Sequence, residues 1–231
     1  MRRVSRGRLE IAAGSVTGSH YPANFDVLHV DDRLVVVADG MGDSEGSRVA
    51  GRTAVDVFTT HAQPGAAALR AAVAEAQRRV GAERDRLKML TGCTLTALLP
   101  DGDEAWIVQI GDSRAYRLRN GVLELLTVDH TAAWLGAVNG WYAFDSAEAA
   151  AARYRLLRYI GDRDAPEPDV LNVTLLPGDV YLLCTDGLAE QVPYQRMLAL
   201  LPTPDPVEPL LAESLAAGGR DNATAAVLRV R

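Results

Sequence analysis

The 231-residue sequence predicts an α+β domain in which helices pack over antiparallel sheets. Three observations carry this expectation. Strand-like apolar runs come first, two helical stretches follow, and then come more strands, two further helices and a closing strand. The strands are punctuated by Asp-Gly, Asn-Gly and Pro-Gly pairs, which favour tight antiparallel connections. Between them, apolar residues recur at helical spacing with charges on the other face.

Residues 25–30, the turn Asp31-Asp32 and the valine-rich run 34–38 read as a hairpin that ends at Asp39-Gly40. From about 45 to 61, Ala50, Ala54, Val57 and His61 share one helical face and Arg48, Arg52 and Asp56 another, so His61 is expected to pack. Pro64 breaks that helix, and residues 65–90 resume the period with Leu69, Val73, Ala76 and Val80. Strands at 94–99, 105–110, 114–118 and 122–126 then read as a meander in one sheet. Residues 129–169 are less legible: an alanine-rich helical stretch at 146–157 and scattered Trp134, Trp141 and Phe144 fit either a flap or a packed helix. Strands at 170–175 and 180–184, helical spacing at Met197, Leu198 and Leu201, a helix at 207–217 and a strand at 223–230 complete the chain. No interior linker interrupts it, so one domain over 1–231 is expected, with a flap-like segment at about 129–169.

The composition excludes several functions. With 30 acidic and 24 basic side chains the formal charge is -6, which argues against nucleic-acid binding through a basic surface. Every base is Arg except Lys88, and no GxxxxGK loop surrounds it, so P-loop nucleotide hydrolysis is excluded. Lys88 lies among Arg84, Asp85 and Arg86 rather than in an apolar pocket, which argues against Schiff-base chemistry. Cys93 and Cys184 sit in apolar runs without zinc-ligand spacing and read as core residues in a reducing compartment. No apolar run has the length of a membrane span or a signal sequence, so a cytoplasmic monomer is expected.

The acids are unevenly chosen, 19 Asp against 11 Glu. LVVVADG places Asp39 before Gly40, AWIVQIGDS places Asp112 after Gly111, and VYLLCTDG places Asp186 before Gly187. Asp221-Asn222 opens the last strand. Any one Asp-Gly pair is more often a turn, and Asp101-Gly102, between polar flanks, is read as one. Carboxylates on rigid strand ends beside glycines can instead face a common pocket, and a set of carboxylates, carbonyls and waters selects Mg²⁺ or Mn²⁺ over zinc or copper.

The ordered set DGMGDSEG (39–46), GCTLTALL (92–99), IGDSRAY (110–116), LTVDH (126–130), LLCTDGL (182–188) and GGRDNAT (218–224) resembles the metal-dependent protein phosphatases, the type 2C serine/threonine class, in its bacterial form. The resemblance implies a sandwich of two antiparallel β-sheets flanked by pairs of α-helices, with two Mg²⁺ or Mn²⁺ ions at one end. By the same resemblance Asp39 bridges both ions, the Gly40 carbonyl holds the second, and Asp186 and Asp221 hold the first. Asp112 with Glu190 resembles the pair that can hold a third, weaker ion. Asp26 of Asn24-Phe25-Asp26 corresponds to an acid that meets metal through water. The implied activity is hydrolysis of phosphorylated Ser/Thr proteins by an activated water, without a phosphoenzyme, opposite a cognate Ser/Thr kinase.

The sequence departs from the family pattern at two places. Tyr21 stands where the family carries a phosphate-gripping Arg, and a phenol lacks the bidentate charged grip of a guanidinium. Phe25 replaces an acid or amide. These departures motivate an alternative expectation, a phosphatase-like domain of low activity acting as a regulatory protein-binding module. Met41 replaces a leaving-group histidine found in some eukaryotic members, His130 is expected to make a structural hydrogen bond, and Arg114 is expected to pair with a neighbouring acid.

Overall fold

Two strands precede the first one expected from sequence. β1 (Arg2–Arg6) and β2 (Leu9–Val16) pair antiparallel, with Leu9, Ile11 and Ala13 turned inward. The structure, a computed structural model, describes residues 1–7 and 9–231, with Ser5 and Arg6 described by backbone alone.

The expected hairpin is β3 (Val27–Val30) with β4 (Val35–Ala38), Val30 opposite Val35. α1 (Glu45–His61) and α2 (Ala66–Leu87) follow, then β5 (Leu95–Asp101), β6 (Glu104–Ile110), β7 (Arg114–Arg119) and β8 (Val122–Leu125). The region 129–169 holds two short helices, α3 (Ala132–Val138) and α4 (Ala147–Ala152), before β9 (Asp169–Thr174). β10 (Val180–Cys184), α5 (Asp186–Ala189), α6 (Tyr194–Leu200), α7 (Val207–Ala216) and β11 (Ala223–Val230) close the chain.

The strands form two antiparallel sheets, β1-β2-β11-β10-β7-β8 and β3-β4-β5-β6-β9. The expected single meander is therefore divided. β5 and β6 pair in one sheet, β7 and β8 in the other, and the chain crosses between sheets at residues 111–113.

The valine run of β4 is buried on both faces, which is why it lacks polar alternation. Val35 and Val37 pack between the sheets with Ile11, Ile107, Leu183 and Leu228. Val36 and Ala38 face the helix pair, meeting Phe58, Leu69, Val73 and Val80. On the opposite outer face, Leu182, Cys184 and Val227 pack under Met197, Leu210 and Leu211 of α6 and α7. The layers are thus helix, sheet, sheet, helix, and each fully buried Val, Leu or Phe contributes about 1.5–3 kcal/mol. One expectation fails locally: His61 is exposed, its Nδ1 2.9 Å from the Val57 carbonyl. It occupies the last turn of α1, beyond the reach of the packed face. No helix among the described residues is long and apolar enough to cross a membrane.

Candidate metal centre

Antiparallel register gathers the acids at one end of the sandwich. Asp26 precedes β3 and Asp39 follows β4, and Val27 opposite Ala38 makes them neighbours. Val37 opposite Thr96 brings Thr94 beside Asp39: the Asp39 amide donates to Thr94 Oγ1 at 2.9 Å and the Thr94 amide to the Asp39 carbonyl at 2.8 Å. Leu95 opposite Ile110 then places Gly111 and Asp112 there too, with Thr94 Oγ1 2.7 Å from Ser113 Oγ. In the other sheet, Cys184 at the end of β10 lies opposite both Arg114 and Ala225, so Asp186 and Asp221 emerge at that same end.

Close backbone approach tightens the cluster. A Cβ on Gly187 would stand 2.0 Å from the Asn222 carbonyl oxygen, and one on Gly40 2.7 Å from that of Ser47. Only glycine lets these strands and loops meet so closely. The loop carrying Gly40 is pinned further by Ser47, whose hydroxyl donates to the Met41 carbonyl at 2.5 Å.

The carboxylates are half-buried. Burial first, then repulsion from neighbouring acids, holds Asp39, Asp112 and Asp186 above the ordinary carboxylate range. For Asp26, burial outweighs the hydrogen bonds from Thr224 and Thr185 and also raises the pKa. Asp221 is raised by burial, against hydrogen bonds from the Asn222 amide and Tyr21. The charge of Asp186 is the largest of the repulsions acting on Asp39. A bound proton or cation relieves repulsion of this kind.

The residues fit a hard divalent ion. Oδ1 of Asp186 and Oδ1 of Asp26 are buried without a hydrogen-bond partner, the state of oxygens that await a cation or its waters. Among the described residues, no three His, Cys, Asp or Glu side chains form a ready chelate for one ion. The donors that collect here are carboxylate and carbonyl oxygens, the chemistry of Mg²⁺ and Mn²⁺, which keep several waters and take one or two carboxylates. Both thiols are buried, Cys184 pushed up to about 12 and Cys93 also raised, so neither offers a thiolate nucleophile.

Sequence reasoning located the acids and missed their supports. Asp26 Oδ2 accepts from Thr185 Oγ1 at 2.9 Å and Thr224 Oγ1 at 2.6 Å, both on the other sheet's segments. Glu190 follows α5, with its Oε1 3.5 Å from Arg153 Nε, so an ion pair links the 129–169 region to the acids. Asp112 feels the charges of Asp186, Asp129 and Glu190, which places it in the same field. Arg114 makes the structural pair expected of it, bidentate to Asp129 at 2.9 and 2.6 Å. Trp134 packs against Phe144, ring centroids 5.4 Å apart, whereas Trp141 is 67% exposed.

Tyr21 lies beside these acids. Its hydroxyl donates to Asp221 Oδ2 over a long 3.4 Å, and its ring meets Phe25 edge-on, centroids 6.2 Å apart. Burial and the charges of Asp221, Asp39 and Asp186 push the phenol up to about 12, so it stays a proton donor at neutral pH.

This fold, with acids clustered where two sheets end together, defines a class. The family model for protein phosphatase 2C matches residues 23–229, and the chain belongs to that family. It is 32% identical to the serine/threonine protein phosphatase PstP of Mycobacterium tuberculosis over 96% of this chain and 45% of PstP, so it spans about half the length of that relative. It is 28% identical to the serine/threonine phosphatase stp of Listeria monocytogenes, covering 96% of this chain and 92% of that one. A crystal structure of the PstP catalytic domain in complex with two manganese ions superposes with a TM-score of 0.86 at 32% identity, covering 96% and 98% of the two chains.

Proposed function

We propose that the chain is a Mg²⁺- or Mn²⁺-dependent protein-serine/threonine phosphatase. The carrying observation is the gathering of Asp26, Asp39, Asp186 and Asp221 at one end of the sandwich, with Asp26 Oδ1 and Asp186 Oδ1 buried and unpartnered there. Asp39 would bridge two ions, the Gly40 carbonyl would hold one, and Asp186 and Asp221 the other. Asp26 would reach them through water, and Asp112 with Glu190 would hold a third, weaker ion. When bound, the ions supply Lewis acidity that makes water a better nucleophile and offsets phosphoryl charge. The chain's own part is to fix the acids on strand ends, so that little reorganisation accompanies binding. Tyr21 would give its one neutral hydrogen bond to a phosphoryl oxygen in exchange for its long bond to Asp221.

The substrates in this reading are phosphorylated Ser/Thr proteins, set against a cognate kinase, and the protein acts as one domain, a cytoplasmic monomer whose 129–169 region borders the clustered acids. Turnover of an aryl phosphate by the unmodified chain with and without Mn²⁺, beside Asp39→Asn, tests it. Mn²⁺-dependent turnover lost by at least a thousandfold in Asp39→Asn is expected. Activity indifferent to Mn²⁺ or to that substitution overturns the reading. Asp39→Asn also relieves like-charge repulsion, so its metal-free form should melt no lower than the parent.

A second reading is favoured by Tyr21, whose hydroxyl turns to Asp221 where the family carries an arginine. Metal would then be held without efficient turnover, and the protein would act by binding phosphoprotein partners. Tight Mn²⁺ binding without hydrolysis selects it.

A further inference from the structure

Asp112 stands in the crossover between the two sheets, where no ladder fixes the backbone. The residue before it, Gly111, has φ +106, and a Cβ there would lie 2.5 Å from Thr94 Cγ2. Gly111 thus has no side chain to anchor, and its placement depends on its peptide groups. His130 grips both, and Gln109 Nε2 also donates to the Gly111 carbonyl at 2.5 Å. The His130 amide donates to the Gly111 carbonyl at 2.9 Å, and the Gly111 amide donates to His130 Nδ1 at 3.1 Å. Because that amide can only donate, Nδ1 carries the lone pair and Nε2 the hydrogen. Nε2 lies 3.1 Å from Asp169 Oδ2, and Arg158 holds the same carboxylate at 2.9 and 3.3 Å. The His130 carbonyl accepts from the Leu157 amide at 2.7 Å. His130 is 4% exposed, so every polar atom of its ring is spent on these partners.

We propose that His130 is a positioning residue for Asp112: it clamps Gly111 so that the Asp112 carboxylate faces Asp186 and Glu190, and it ties that placement to residues 157–169. The proposal rests on the reading of these acids as metal ligands. It adds that the weak cation site at Asp112 is assembled by the imidazole and, through Asp169, senses the segment beyond it.

Two substitutions separate the halves of the ring. His130→Asn keeps an acceptor near the Nδ1 position, and His130→Gln keeps a polar group near the Nε2 position. Hydrogen exchange at the Gly111 amide, read by NMR in the metal-free chain, should stay slow in the parent and His130→Asn. It should quicken at least tenfold in His130→Gln and His130→Ala. In calorimetric titration with Mn²⁺, the weakest site should lose at least tenfold affinity in the Gln and Ala variants and be rescued in Asn. His130→Ala should add nothing further in an Asp112→Ala background. Equal exchange rates in all variants, equal Mn²⁺ affinities, or rescue by Gln as good as by Asn would each overturn the positioning role. Should His130→Ala fail to fold, the Asn and Gln pair decides alone. A parent chain that takes up no Mn²⁺ overturns the ligand reading directly, while Gly111 exchange still decides the clamp.

Discussion

Thr224 on β11 donates a 2.6 Å hydrogen bond to Oδ2 of Asp26 at the head of β3, and so joins the two sheets at the end where the acids collect. Thr185 donates to the same oxygen at 2.9 Å, and Ser15 Oγ lies 2.7 Å from Thr224 Oγ1, behind it. With Oδ2 saturated, Oδ1 is left buried without a hydrogen-bond partner. A buried carboxylate oxygen that loses a donor forfeits its desolvation compensation, about 1–3 kcal/mol. Thr224→Val should therefore lower the metal-free unfolding free energy in urea by about that amount and weaken Mn²⁺ binding, because Asp26 no longer holds one orientation. An unchanged urea midpoint would show that Thr185 alone suffices.

The acids were legible in sequence because each belongs to a short motif at a strand end, and antiparallel register does the rest. Their supports were not, because Thr185 and Thr224 meet Asp26 across 159 and 198 residues, which no local pattern encodes. β2 is less legible for a different reason: LEIAAGSV alternates, but its inward positions after Ile11 are small, and Gly14 leaves no room for a side chain, since a Cβ there would stand 3.1 Å from Leu211 Cδ1. The apparent meander was divided because strand patterning reports which residues are buried and not which neighbour they pair with. In the 129–169 region the alanine-rich stretch expected as helical over 146–157 is helical only as α4, α3 is not among the elements expected from sequence, and the local signals that mark both helices are their caps. Thr131 Oγ1 accepts from the Trp134 amide at 3.2 Å and Ser146 Oγ from the Ala149 amide at 3.1 Å.

Acid sensitivity should centre on Asp179 rather than on the clustered acids alone. Burial raises its pKa, but Arg119, the Leu176 amide and Tyr181 outweigh that and leave it below the usual range. Arg119 holds both oxygens at 2.7 and 2.6 Å, and the carboxylate is 2% exposed. A folded-state pKa below the unfolded value means stability that is fully present above about 4 and lost as pH falls through the folded pKa. Asp179→Asn should flatten that acid limb, whereas Arg119→Ala, which strands the buried charge, should cost about 3 kcal/mol at neutral pH. Thermal melts from pH 7 downward check both, and parallel acid limbs in the parent and Asp179→Asn would contradict the assignment.

Tyr21→Arg should lower KM for a phosphoprotein by about tenfold, since a charge-assisted bidentate grip is worth roughly twice a neutral hydrogen bond. The long 3.4 Å contact to Asp221 makes Tyr21→Phe a useful companion: losing so weak a bond should leave Mn²⁺ affinity within about twofold. If KM is unmoved in the arginine variant, position 21 does not border the bound phosphate.

Gly187 tests whether the acid cluster depends on close approach rather than on charge alone. Its hypothetical Cβ stands 2.0 Å from the Asn222 carbonyl oxygen; the Cβ position is set by the backbone and its neighbour is backbone, so no rotamer change relieves the clash. Gly187 follows Asp186, and Asn222 follows Asp221. Gly187→Ala should therefore force these two acids apart, costing about 1–3 kcal/mol of stability and, more tellingly, most of the Mn²⁺ affinity. Gly178→Ala is the control, because its φ of +91 strains any side chain while nothing lies within 4 Å of the added carbon. It should lose about 1 kcal/mol and bind Mn²⁺ as the parent does. Equal loss of Mn²⁺ affinity in both variants would mean that the effect is general destabilisation; loss in Gly187→Ala alone ties ion affinity to the spacing of Asp186 and Asp221.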